Sequence, residues 1–178
     1  TMAETPRLFR LLSRALFTKS GSTHRAERAA SIAAFNAVPL TEIIGDAVRR
    51  IVPSDPAEID LRSGLIVPIT LAIWGKIVGY DADAIARLEA ALVGLSHLLS
   101  PRPDPTKAHL ADEAAEEIRK LSLGALDAET PFASSLRAHV GDELAADLIA
   151  GMTFDAVDTA SVGIDAALRI AVAHRDKV

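Results

Sequence analysis

A histidine and an arginine four residues apart, His24 and Arg28, sit near the start of one helical stretch, while Asp155, Asp158, Thr159, Ser161 and Asp165 punctuate another that is otherwise small and apolar. Residues four apart share a helix face, so His24 and Arg28 can act on one target. A carboxylate in the middle of an apolar helix is costly unless it is paired, hydrogen-bonded or protonated. Two readings of the second group follow. Either the stripe of Asp158, Ser161 and Asp165, flanked by Asp155 and Thr159, faces water, or it lines an internal cavity. In a cavity, an acid beside a hydroxyl holds water or protonates a bound molecule.

Other chemistries lack their residues. The chain has no cysteine, which removes disulfides, thiolate nucleophiles and cysteine-rich metal centres. His97, His109, His139 and His174 stand singly, without the spacing of a zinc site. No nucleophile elbow, phosphate-binding glycine loop or dinucleotide fingerprint is present. Asp155 and Asp158 offer two carboxylates three residues apart, too few ligands for a metal on their own. No metal site is expected. Trp74, Phe132 and Phe154 read most simply as core residues.

These groups need a scaffold, and the composition indicates which kind. Of 178 residues, 49% are hydrophobic but only 4% aromatic, so the core is packed from alanine, leucine, isoleucine and valine, which suits close helix contacts. The expected fold is all-α, one domain over residues 1–178. A net charge of -5, with lysine and arginine scattered among acids, supplies no field for nucleic acid. Thr1 before Met2 reads as the remnant of a tag, and the opening lacks a signal peptide, so the expected location is cytoplasmic. The apolar run Leu65 to Val78 is read as a buried helix, too short to span a bilayer, and no membrane partner is expected.

Helix boundaries follow from caps and breakers. Thr5-Pro6 starts a short first helix, and Ser22 or Thr23 starts a second, with Glu27 in its first turns, running to Phe35. Pro39 to Val52 forms a third, ended by Pro53-Ser54-Asp55-Pro56. A fourth runs from Asp60 to Val78 and closes at Gly79-Tyr80, and Asp81 opens a fifth that runs to Leu99. Ser100 to Pro105, with three prolines, is a loop. Thr106 to Leu126 is an acidic amphipathic helix with Glu113, Glu116, Glu117, Arg119 and Lys120 mostly on its solvated face. Pro131 to His139 and Gly141 or Asp142 to about Ala173 complete the chain.

Taken in order, these segments resemble the stretch from the C helix to the I helix of bacterial cytochromes P450. Gly21-Ser22-Thr23-His24-Arg25-Ala26-Glu27-Arg28, followed by Ala34-Phe35, is similar to the C helix, whose HxxxR pattern faces the haem propionates. Ile59-Asp60-Leu61 through Pro68 to Val78-Gly79-Tyr80-Asp81 looks like the segment between, and Ala156-Val157-Asp158-Thr159-Ala160 resembles the I helix with its acid and alcohol pair. Ala156 stands where that family has glycine, and Ala160 where a second threonine is common. The sequence ends at Val178, ahead of the ExxR helix and the loop carrying the thiolate ligand. The resemblance therefore implies a truncated, haem-free relative, since without cysteine the thiolate-ligated oxygen chemistry has no ligand.

Two functions are then expected as alternatives. In the first, the helices keep a hydrophobic pocket that holds a bulky apolar metabolite for a redox-neutral cyclisation or rearrangement in natural-product biosynthesis. Asp158 and Thr159 would be its catalytic pair, and His24, Arg28, Asp155 and Ser161 would bind the ligand. Arg28 can hold a ligand carboxylate bidentately, either His24 or Arg28 can pair with Asp158, or both serve structural ion pairs. In the second, the chain is a non-catalytic helper of a biosynthetic enzyme such as a glycosyltransferase, with exposed apolar surface as its interface and a homodimer as the simplest assembly.

Overall fold

The computed structural model describes residues 5–15, 18–52, 59–99 and 101–174, and the side chain of Asp158 is outside the description. The segment Pro53 to Pro56 and Ser100 thus lie outside the described residues. Among those described there are eight α-helices and no strand, as the composition suggests. They are α1 (Pro6–Arg14), α2 (Gly21–Asn36), α3 (Leu40–Ile51), α4 (Val67–Val78), α5 (Ala82–Leu99), α6 (Ala108–Ala125), α7 (Pro131–Val140) and α8 (Asp142–Ala173).

Local signals set most of the boundaries. Pro6 occupies the first turn of α1, where its missing N–H costs nothing. Thr5 makes no capping bond there; the carboxylate of Asp112 on α6 accepts the N–H groups of Arg7 and Leu8, at 2.7 and 3.0 Å. Nor is α2 capped by Ser22 or Thr23, the residues the sequence suggests. Its cap residue is Ser20, without a side-chain bond, and Glu27 is turned inward in a buried ion pair with Lys19. Gly79, at φ 102°, ends α4 in the left-handed region, and a Cβ there would lie 2.6 Å from Ala128. Thr130 joins two helices: its hydroxyl donates to Ile77 at the end of α4 and accepts the Ala133 N–H at the start of α7.

The long α8 is the axis of the packing. At 32 residues it spans about 48 Å at 1.5 Å per residue. Its first half is buried through Ala145, Ala146, Leu148, Ile149 and Thr153, with α1, α4, α6 and α7 laid against it. Phe35, Trp74 and Phe132 meet beside it, with ring centroids 4.8 to 6.2 Å apart. Beyond Ser161 the helix emerges, and Val162, Ile170 and Val172 are exposed. Likewise α3 packs on α4 through Ala47 but leaves Leu40, Ile44 and Val48 uncovered at four-residue spacing.

Two sequence expectations are corrected here. The fourth helix has the expected extent, but the apolar run within it is not too short to span a bilayer on length: a π-helical turn over Leu61–Ile66 continues directly into α4, giving an 18-residue helical stretch, Leu61–Val78. By length and composition that is enough to cross a membrane, though a buried core helix meets the same criterion, and Ile66, Leu71, Trp74 and Val78 are inside the bundle. Arg119 also leaves the solvated face of α6. It turns onto Asp147 of α8, where the burial of that carboxylate makes pairing favourable.

Candidate functional site

An apolar hollow with a polar rim lies between α4, α5 and α8. Val67 and Leu71 come from α4, Leu92, Leu95 and Leu99 from α5, and Phe154, Val157 and Ser161 from α8. Its volume is about 420 Å³, within the range of small-molecule sites. Leu71, Leu95, Val157 and Ser161 are buried and form the floor, whereas Arg62, Glu89, Val93, Ser96 and Pro101 are exposed and mark the mouth. The site therefore grades from apolar depth to charged entrance.

The helices place these side chains by simple periodicity. Leu88, Leu92, Leu95 and Leu99 recur every three or four residues along α5, so one face of that helix is continuous leucine. Val157 and Ser161 are four apart on α8 and point the same way. The opposite face of α5 comes close to α6 because Gly94 carries no side chain; a Cβ there would stand 2.9 Å from that of Ala114.

Of the polar residues singled out from sequence whose side chains are described, Ser161 alone belongs to the cavity wall. Its hydroxyl donates to the Val157 carbonyl at 2.6 Å and lies 3.5 Å from Thr70 Oγ1. Asp155 and Thr159 are exposed and bonded to each other, Thr159 Oγ1 donating to Asp155 Oδ1 at 3.1 Å. Asp165 pairs with Arg169 one turn on, and the Arg169 hydrogen bond holds its carboxyl below the usual range. His24 is half-buried, with Nδ1 shielded from solvent and unbonded among the described residues, and Arg28 is exposed. Neither belongs to the cavity wall, since α2 packs chiefly against α7. The structure thus keeps the α2 pair apart from the α8 hydroxyls. Phe154, read as a core residue, packs against the core and also lines the cavity, while Trp74 and Phe132 are buried in the aromatic cluster.

Two polar centres escaped sequence reading. Asp147, 5% exposed at its side chain, takes Arg10 on Oδ2 and Arg119 on Oδ1, both at 3.0 Å, with Arg14 3.5 Å away. Glu143 completes the cluster by pairing with Arg119. Behind the cavity, Thr153 Oγ1 accepts from Trp74 Nε1 at 2.7 Å and sits 3.3 Å from the Tyr80 hydroxyl, which is 2.9 Å from Ser122. Burial raises the Tyr80 pKa, partly offset by the Ser122 and Thr153 bonds. The one visible cue to the first centre was an acid, Asp147, amid the apolar Leu144 to Met152 run.

Among the described residues, no three histidine or acidic side chains gather in a metal-binding arrangement. Comparison with protein-family models, with curated proteins and with solved structures finds no match for this chain.

Proposed function

We propose that this protein binds a bulky apolar small molecule in the cavity between α4, α5 and α8. The observation that carries the reading is the cavity itself: about 420 Å³, floored by Leu71, Leu95 and Val157, with charged groups at its mouth. Burying apolar ligand surface there contributes about 25 cal/mol per Å², enough to hold a terpenoid-sized molecule without a strong polar anchor. The P450-like order of the sequence motifs supports a pocket of this kind, with the ligand held for a redox-neutral rearrangement rather than for oxygen chemistry. Of the expected catalytic pair Asp158 and Thr159, Thr159 is exposed and bonded to Asp155 outside the cavity wall, so the proposal rests on binding. The same reading puts the protein in the cytoplasm, where a chain without cysteine is indifferent to the reducing medium.

Calorimetric titration with farnesol tests it. Saturable binding should be lost in Leu92→Trp, whose indole occupies the cavity, while the circular dichroism spectrum stays helical. Equal binding by both proteins would remove the cavity from the account.

A second reading, the helper or self-associating protein, is favoured by a different observation. Leu40, Ile44 and Val48 on α3, and Val162, Ile170 and Val172 on α8, expose more clustered apolar surface than helices of a closed bundle need. Concentration-dependent sedimentation of the chain would support it, and a strictly monomeric profile would count against self-association.

A further inference from the structure

Resting on the binding reading above, we infer that the cavity takes an apolar amine, whose hydrocarbon body fills the hollow between α4, α5 and α8 while its ammonium group stands at the mouth beside Glu89. Glu89 lines the hollow on the same face of α5 as Leu92 and Ser96. It is exposed at the mouth, where the polar end of a seated molecule reaches it. The residues three and four away on its own helix are Ile85, Ala86, Leu92 and Val93, all apolar. Glu89 therefore has no cation within its turn, and it makes no hydrogen bond or ion pair among the described residues.

The cations at this end are already engaged. Arg62 at the mouth and Arg102, next to Pro101, each have an interaction within the chain. On the α8 side, the Asp165 carboxyl is held below its usual range by the Arg169 hydrogen bond and, through space, by Arg62. The rim therefore offers a ligand one carboxylate and no uncommitted arginine. A cationic head gains that carboxylate beside a low-dielectric wall, where charges are screened less than in open water. An anionic head meets its repulsion, and a neutral head gains little from either sign. The chemistry recognised is thus a positive charge at the tip of an apolar body.

Farnesylamine, farnesol and farnesoate share one skeleton and present a cation, a neutral group and an anion at this tip. Calorimetry at low salt should find the amine binding about two- to fivefold tighter than farnesol, the worth of one exposed ion pair, with farnesoate weakest. Added salt should erase the difference. In Glu89→Gln, which keeps the shape and removes the charge, amine and alcohol should bind alike, with the farnesol affinity unchanged. Glu113→Gln, at an exposed site on α6 away from the hollow, should leave the preference intact. An amine no tighter than farnesol, a preference that survives Glu89→Gln, or one lost equally in Glu113→Gln would overturn the amine selectivity, although farnesol still binds the cavity. If none of the three binds, the binding reading falls and this inference with it.

Discussion

The indole N–H of Trp74 donates to the hydroxyl of Thr153 at 2.7 Å, joining α4 to α8 across the centre of the bundle. Thr153 passes its own proton back to the Ile149 carbonyl, so its oxygen is a pure acceptor for Trp74 and for the Tyr80 hydroxyl. The contact is fully buried, and it holds together two of the three helices that wall the cavity.

Thr153→Val should therefore destabilise the fold by about 2 to 3 kcal/mol, because it keeps the shape but strands a buried donor. Thr153→Ser, which restores the acceptor, should recover part of the loss. Urea unfolding followed by tryptophan fluorescence checks both, and Trp74, as the only tryptophan, gives the signal from the core that this contact crosses.

The carboxylate of Asp147 anchors α1 and α6 to α8 through Arg10 and Arg119. Asp147→Ala should cost about 2 to 3 kcal/mol, toward the low end for a broken buried pair because Arg10 is half exposed. In hydrogen exchange, amides of α1 should lose protection first. Uniform loss across all helices would show that the anchor is not local to α1.

How much of this was legible in the sequence depends on how far each signal reaches. The ends of α4 and α5 were visible because Gly79 and Asp81 act within one turn of where they stand, Asp81 accepting the Ala84 N–H at 2.8 Å. The capping of α1 was not, since Asp112 is supplied from more than a hundred residues away. Arg119 looked like one more charge on a wet face, and only the tertiary fold brings it to Asp147. In the candidate site, the stripe on α8 was visible as a stripe, but periodicity does not say which neighbour a face meets. Ser161 turned inward and Thr159 outward, although they are two residues apart, because successive side chains on a helix diverge by about 100°. The cavity's leucines on α5 carried no signal beyond ordinary core periodicity.

Acid pH should act on the start of the Leu61–Val78 stretch. Asp60 accepts the Ser63 hydroxyl and N–H, both at 2.6 Å, and the hydroxyl bond followed by the backbone bond lowers its pKa from the ordinary 3.8. A depressed folded value means the cap's contribution is full above the unfolded pKa and is lost as pH falls through the folded one. Carboxyl carbon NMR should find the Asp60 midpoint below 3.8 in the native protein and nearer 3.8 in Ser63→Ala. A native midpoint at or above the ordinary value would mean that the cap is not formed.

Exposed apolar groups on the far half of α8 should be dispensable to the bundle. Ile170→Ser and Val172→Ser, at 62% and 68% exposed sites, should shift stability by no more than about 0.5 kcal/mol. Should these variants reduce association in sedimentation while leaving the unfolding midpoint unchanged, α8 is an interface. A large loss of monomer stability would instead show that the outer half of α8 is folded against the chain itself.

The central claim is occupancy of the hollow between α4, α5 and α8, and methyl NMR tests it most directly. On titration with farnesol, the methyl signals of Leu71, Leu92, Leu95 and Val157 should shift together and saturate, while those of Leu8, Leu11 and Leu136 in the rest of the core stay still. Shifts confined to exposed Ile44, Val48, Ile170 and Val172, with the cavity methyls unmoved, would contradict it.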